Sequence, residues 1–178
     1  PSNDASSNCI KCDAGRWSSN LSVASYDGCI ACHTGRWSST PGSATSSECI
    51  ACDAGKYSNK AGVDASSKCI DCVAGRWSSN DGVSEWSGCI ECEAGRWSST
   101  RGVDQKGKCI GCDAGRWSNV TGMDASSKCI ACDAGKYSAV AGVNSTSRCI
   151  ACLAGRWSSA EGVSTETGCI GCDAGRWS

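Results

Sequence analysis

The sequence predicts a small disulfide-rich fold, mostly coil with short β-strands, in which nine 20-residue repeats form an elongated rod or solenoid. Cysteine accounts for 18 of the 178 residues, a density typical of disulfide scaffolds. The cysteines form C-x-x-C pairs that recur every 20 residues without an insertion. Phe is absent and Met occurs once, so cross-links must replace a large apolar core.

A single tandem array, residues 1–178, accounts for the whole chain. The consensus unit is C-I-x-C-x-A-G-[RK]-[WY]-S followed by about ten variable residues, and residues 1–8 match the tail of a preceding unit. The units start at Cys9, Cys29, Cys49, Cys69, Cys89, Cys109, Cys129, Cys149 and Cys169. In such an array each unit contacts its neighbours. We therefore expect a window on a longer array, or one link of a head-to-tail polymer of itself.

Each part of the unit predicts its own local structure. The segment G-[RK]-[WY]-S is short, β-favouring and bounded by glycine, which predicts a short strand. The Cys-Ile-x-Cys step is expected to be extended, with Ile10 and Cys12 on one face of a pleat. The variable stretch is rich in Ser, Asp, Asn and Gly and predicts a turn-rich loop. The apolar residues do not recur with a period of 3.6 residues, so the sequence predicts no α-helix.

Composition and charge also exclude classes of partner. The formal net charge is -1, which gives no reason to expect nucleic acid as a partner. No apolar run approaches the ~20 residues that cross a bilayer, so we expect no membrane insertion in this segment. Disulfide scaffolds persist in oxidising compartments, which predicts a secreted or cell-surface protein.

The paired cysteines are best explained by structural disulfides between neighbouring units. Each bond would close a loop of about 17 residues, worth roughly 3 kcal/mol in the chain-entropy model. The predicted bonds are Cys12–Cys29, Cys32–Cys49, Cys52–Cys69, Cys72–Cys89, Cys92–Cys109, Cys112–Cys129, Cys132–Cys149 and Cys152–Cys169. This pairing leaves Cys9 and Cys172, which are candidates for disulfides between segments.

Three other uses of the cysteines compete with this interpretation. Zinc is the strongest, because C-x2-C-x16-C-x2-C falls within zinc-ribbon spacing. Nine pairs, however, cannot be divided into four-cysteine sites without a remainder. Redox catalysis and an iron–sulfur cluster each need one special environment, whereas these pairs are all alike. We therefore expect no metal and no cofactor.

The motif C-x2-C-x2-G-x-[aromatic], a spacer and a further C-x2-C occurs at Cys32, Gly35, Trp37 and Cys49, for example. It resembles the small modules of tumour necrosis factor receptors, and more closely the ephrin-receptor-like cysteine-rich repeats. The resemblance implies an extracellular module in which the second cysteine bonds the next first cysteine across the aromatic loop. This chain has Trp where Phe or Tyr is usual, and its spacers have one length where receptor modules vary.

One aromatic side chain recurs in each unit and forms what we call the aromatic row. Because no other bulky residue except Ile recurs, we expect each ring to cover a disulfide and the neighbouring Ile. The alternative is a row of platforms on which carbohydrate stacks. The row consists of Trp17, Trp37, Tyr57, Trp77, Trp97, Trp117, Tyr137, Trp157 and Trp177.

Other exposed groups are expected in the variable loop. N-x-[ST] sequons predict glycans at Asn20, Asn119 and Asn144. Tyr26 and Trp86 lie outside the aromatic row and are candidates for contacts between chains. The basic residue before each aromatic is expected to be solvated, to pair with a nearby acid or to contact a ring.

No catalytic residue is predicted, and we expect a protein that is not an enzyme. Catalysis needs unlike groups that converge once, whereas near-identical repeats bring like groups together many times. The single His33 replaces an Asp found in most units, which indicates a surface substitution. The sequence therefore predicts a structural component of an extracellular filament, fibre or stalk. The alternative is a receptor ectodomain or adhesin segment that binds a protein or glycan.

Overall fold

The computed structural model describes residues 9–20, 23–174 and 176. These residues form mostly coil, with short antiparallel strand pairs that recur about every 20 residues and with eight disulfides. Within the described part of the chain no α-helix is present. The predicted disulfide-rich fold of coil and short strands is confirmed.

The strands are two residues long and alternate in sequence type. Odd-numbered strands carry the basic residue and the aromatic, and even-numbered strands carry Ile and the residue after it. In chain order they are β1 (Arg16–Trp17), β2 (Ile30–Ala31), β3 (Arg36–Trp37), β4 (Ile50–Ala51), β5 (Lys56–Tyr57), β6 (Ile70–Asp71), β7 (Arg76–Trp77), β8 (Ile90–Glu91), β9 (Arg96–Trp97), β10 (Ile110–Gly111), β11 (Arg116–Trp117), β12 (Ile130–Ala131), β13 (Lys136–Tyr137), β14 (Ile150–Ala151), β15 (Arg156–Trp157) and β16 (Ile170–Gly171).

Each strand pair places an aromatic opposite an isoleucine. In the pair of β3 with β4, Trp37 lies opposite Ile50. The same antiparallel register holds for β1 with β2, β5 with β6, β9 with β10, β11 with β12, β13 with β14 and β15 with β16. The aromatic and the isoleucine of a pair therefore come from two successive 20-residue repeats.

Turns connect the strands. A β-turn precedes each basic–aromatic strand, as where the Arg36 amide donates to the His33 carbonyl at 3.1 Å. The variable loop ends in a single 3-10 turn before each first cysteine, which the sequence predicted only as turn-rich loop. These turns are Tyr26–Gly28, Ser46–Glu48, Ser66–Lys68, Trp86–Gly88, Lys106–Lys108, Ser126–Lys128, Thr146–Arg148 and Glu166–Gly168.

The chain divides into two compact units. The first comprises Pro1–Cys72, Ser78–Ile90 and Gly102–Asp104, and the second comprises Val73–Trp77, Glu91–Arg101 and Gln105–Ser178. A buried cluster in the first unit contains Cys12, Val23 and Cys29, with Ile10 packed against it. A corresponding cluster in the second unit contains Cys112, Met123 and Cys129, with Trp97 packed against it.

The isoleucines of the even-numbered strands lie mostly at the surface. Ile10 packs against the cluster that contains Cys12, but Ile30 and Ile50 are 48% and 51% exposed. Cys29 and Cys32 on either side are 4% and 1% exposed, so both bonded cysteines are buried while the isoleucine between them is not. The expectation that this isoleucine shares the buried face of the cysteines therefore fails beyond the first repeat.

Candidate functional site

The contact between successive repeats is the feature that recurs along the chain, and disulfides form its centre. The eight bonds are Cys12–Cys29, Cys32–Cys49, Cys52–Cys69, Cys72–Cys89, Cys92–Cys109, Cys112–Cys129, Cys132–Cys149 and Cys152–Cys169. Their Cα–Cα distances lie between 5.6 and 5.9 Å, within the usual range for disulfides. Each bond joins the second cysteine of one pair to the first cysteine of the next, as neighbour pairing requires.

Backbone hydrogen bonds surround each disulfide and link the same two repeats. In the first unit, the Ser38 amide donates to the Val63 carbonyl at 3.0 Å, and the Gly62 amide donates to the Cys32 carbonyl at 2.8 Å. Trp37 and Val63 form a parallel bridge, so the strand that carries the ring is paired on both sides. Corresponding bonds connect Ser98 with Met123 in the second unit.

The aromatic ring of one repeat packs on the core of the next. Trp97 contacts the cluster formed by Cys112, Met123 and Cys129, and these cysteines are bonded to each other. The ring therefore packs against the core of the following loop, which the Cys112–Cys129 bond closes. A half-buried ring packed in this way completes a core that a 20-residue unit could not form alone.

A glycine allows the backbones of two repeats to approach closely. Gly115 has a φ of +82°, and a Cβ atom built there would lie 2.1 Å from the Gly162 carbonyl oxygen. A side chain at this position would meet both the steric penalty of the left-handed region and the neighbouring backbone. Gly35 makes the same approach to Gly82 in the first unit.

Buried serines are the part of the site that the sequence analysis missed. In the described residues, the serine after each member of the aromatic row is almost fully buried, as for Ser78 and Ser118, which are both 0% exposed. The Ser118 amide donates to the Val143 carbonyl, and its Oγ accepts from the Val120 amide at 3.2 Å. Both groups are thus satisfied without water. The sequence signal that could have predicted these buried serines is the recurrence of Ser after every member of the aromatic row.

The basic residue before the aromatic has a defined partner. Arg36 Nη1 donates to the Cys49 carbonyl at 2.7 Å, and Arg116 Nη1 donates to the Cys129 carbonyl at 3.0 Å. Where the residue opposite in the strand pair is acidic, an ion pair forms, as between Lys56 and Asp71 at 3.0 Å. The basic row therefore helps to fix the strand pairs.

Three exposed carboxylates have lowered pKa values. The hydrogen bond from Lys68 lowers the pKa of Asp64, and Lys128 lowers that of Asp124 in the same way. A hydrogen bond from Lys106 lowers the pKa of Glu93. Each of these pKa values is lowered by a neighbouring lysine at the surface. None of the three shifts indicates a cleft of the kind in which the pKa of a catalytic acid is tuned.

Most of the remaining predicted residues are exposed. Asn20, Asn119 and Asn144 are exposed, although residues 21 and 22 of the first sequon lie outside the described residues. His33 is exposed, as are Tyr26 and Trp86 at 58% and 57%. Trp177 lies outside the described residues. Cys9 is exposed, Cys172 is partly exposed, and neither forms a disulfide in the described part of the chain.

Disulfide formation determines whether a cysteine can bind a metal or react with a substrate. A bonded half-cystine presents no thiolate to a metal or to a substrate. In residues 9–20, 23–174 and 176, no group of three or more His, Cys, Asp or Glu side chains is placed to hold a metal ion. Within the same residues, no helix has the length and apolar character needed to cross a membrane.

Neither a scan against protein-family models nor a search of curated proteins found a match to this chain.

Proposed function

We propose that this chain is a non-catalytic structural component of an extracellular filament, fibre or stalk. The observation that carries the proposal is the recurrence of one repeat-to-repeat contact, with the same disulfide pairing and the same backbone hydrogen bonds. A contact that recurs from repeat to repeat allows a structure to be lengthened by the addition of repeats. Its modules are of the ephrin-receptor-like kind.

The disulfide pattern suits a protein that bears tension. A pull on the chain passes from Cys29 to Cys32 and then across the bond to Cys49, so the 17-residue loop is bypassed. Only the short C-x-x-C steps can then lengthen while the bonds are intact. Disulfides of this number persist in oxidising surroundings, which supports an extracellular location. The exposed asparagines of the sequons are the proposed sites of glycans on the surface.

Immunogold electron microscopy tests the proposal. An antibody raised against the folded chain should decorate extracellular filaments of the source cells at many positions along their length. A control antibody against the reduced, alkylated chain should not decorate the same filaments, because the loops are closed in the native material.

The alternative function predicts a different distribution of label. A receptor ectodomain or adhesin would give isolated label on the cell surface, and soluble protein would bind a ligand on neighbouring cells. Isolated label without filaments would contradict the structural role.

A further inference from the structure

A groove of about 470 Å³ lies in the variable loop of one repeat of the second compact unit. Val140 and Ile150 line it, and their side chains are 66% and 54% exposed. The volume falls within the range of about 300–1,000 Å³ that small-ligand sites occupy. The groove is therefore large enough for a small molecule and offers it apolar side chains.

Two polar side chains, Asn144 and Arg148, also line the groove. In another repeat the corresponding residues are acid and base and form an ion pair, in which Lys68 lies 2.7 Å from Asp64. Asparagine carries no charge, so the same ion pair cannot form in this repeat. The guanidinium of Arg148 carries five N–H donors and can serve a ligand in the groove.

Asn144 is the acceptor of the sequon Asn144-Ser145-Thr146 and is exposed. The next residue, Ser145, caps the turn Thr146–Arg148, and its Oγ accepts from the Ser147 amide at 3.2 Å. A sugar attached to Asn144 would start at the wall of the groove. A ligand tethered beside its site has an effective concentration in the millimolar range, so even weak binding would hold the sugar there.

We propose, on the basis of the extracellular role proposed above, that this groove binds the innermost N-acetylhexosamine of a glycan attached to Asn144. The apolar face of the sugar ring and its acetyl methyl group pack on Val140 and Ile150. Arg148 donates to the carbonyl oxygen of the acetamido group. The sugar thereby removes from water two apolar side chains that are exposed without it, which is favourable.

The covalent step is a glycosyl transfer to the side chain of Asn144. The donor is an oligosaccharide linked to a polyprenyl diphosphate. The C1–O bond between the first sugar and the diphosphate breaks, and its electron pair leaves with the diphosphate. A C1–N bond forms to Nδ2 of Asn144, and this nitrogen loses one proton. The step needs no oxidant or reductant.

The sequon at Asn119 provides a matched control in the same compact unit. Asn119 is exposed and is not one of the residues that line the groove. In its sequon the Thr121 hydroxyl donates to Glu91 of an earlier repeat. A glycan on Asn119 is therefore expected to project into solvent, whereas the first sugar on Asn144 is held against the protein.

The test uses the full chain, secreted from cells that attach N-glycans. An amidase that cleaves between asparagine and the first sugar should release the glycan of native Asn144 roughly tenfold more slowly than that of Asn119, the factor given by about 1.4 kcal/mol of binding. Reduction and denaturation should make the two rates equal. NMR on chain with labelled sugars should show contacts between the acetyl methyl group and the methyl groups of Val140 and Ile150.

A pair of valine variants separates the groove from the sequon. Val140→Ser should raise the rate of release at Asn144 to that of Asn119, because the sugar loses its apolar contact. Val120→Ser changes the valine at the corresponding position of the preceding repeat and keeps the sequon of Asn119 intact. This control should leave the rate at Asn144 unchanged. Both side chains are exposed, so neither substitution removes a core residue.

Three results would overturn the proposal: secreted chain without a glycan on Asn144, equal native release rates at Asn144 and Asn119, or slow release that persists in Val140→Ser. None of them bears on the filament role, which label along native filaments would still support. Isolated cell-surface label together with slow release at Asn144 would instead contradict the filament and support the groove.

Discussion

Trp97 and Trp157 occupy the same local sequence, A-G-R-W-S-S, but differ in their surroundings. Trp97 is half-buried against Cys112, Met123 and Cys129, whereas Trp157 is 46% exposed. Both rings lie opposite an isoleucine in the same register. The difference shows that the burial of a ring depends on the core of the following repeat and not on its own segment.

The largest expected effect is the loss of the Trp97 ring. Trp97→Ala should destabilise the loop from Cys112 to Cys129 by about 3 kcal/mol, because the ring packs on that bond. Hydrogen exchange of the amides in this loop would measure the loss. Trp97→Tyr is the matched control and should cost much less, since Tyr stands at this position in two repeats. Loss of protection in the Cys92–Cys109 loop alone would contradict the packing described.

A smaller effect is expected when a methyl group is added to Gly115, where the backbones of two repeats approach closely. Gly115→Ala should cost about 2 kcal/mol or more, because the left-handed φ is unfavourable and the Gly162 carbonyl must move. Gly135→Ala is the control: it has a φ of +77° but would meet nothing within 4 Å. Chemical denaturation of the two variants separates the backbone penalty, about 1 kcal/mol, from the contact. Equal losses would contradict a close approach between repeats.

The smallest expected effect on stability comes from an ion pair in the segment D-A-S-S-K, which occurs at residues 64–68 in the first compact unit and at 124–128 in the second. The hydrogen bonds from Lys68 and Lys128 lower the pKa values of Asp64 and Asp124 below the ordinary value of an aspartate. A lowered folded-state pKa stabilises the fold above the unfolded-state pKa, and this stabilisation is lost as pH falls through the folded-state value.

Both pairs are exposed, so the stabilisation is small and is screened by salt. NMR titration should give low pKa values for both carboxyls, and both should rise towards the ordinary value in concentrated salt. Lys68→Ala should raise the pKa of Asp64 and leave that of Asp124 unchanged. Values that do not respond to this substitution would rule out the pairing.

The local fold could be predicted from sequence because its signals are short-range. The recurrence of G-[RK]-[WY]-S predicted the strands, and the cysteine spacing predicted bonds between neighbouring pairs. The position of the Trp97 ring over the next disulfide was not predictable, because it depends on how two repeats pack. The burial of Ser118 could have been anticipated from its recurrence, but serine is usually a surface residue. The family resemblance stays a prediction.

The central claim is that one disulfide-stapled contact recurs along the chain and carries load between repeats. Single-molecule force spectroscopy on the secreted chain tests it directly. With the disulfides intact, the chain should lengthen little, because each bond bypasses its 17-residue loop. After reduction, each loop should release about 55 Å of contour length, in equal steps. Extension of the full chain without reductant, or steps of unequal length after reduction, would contradict the account.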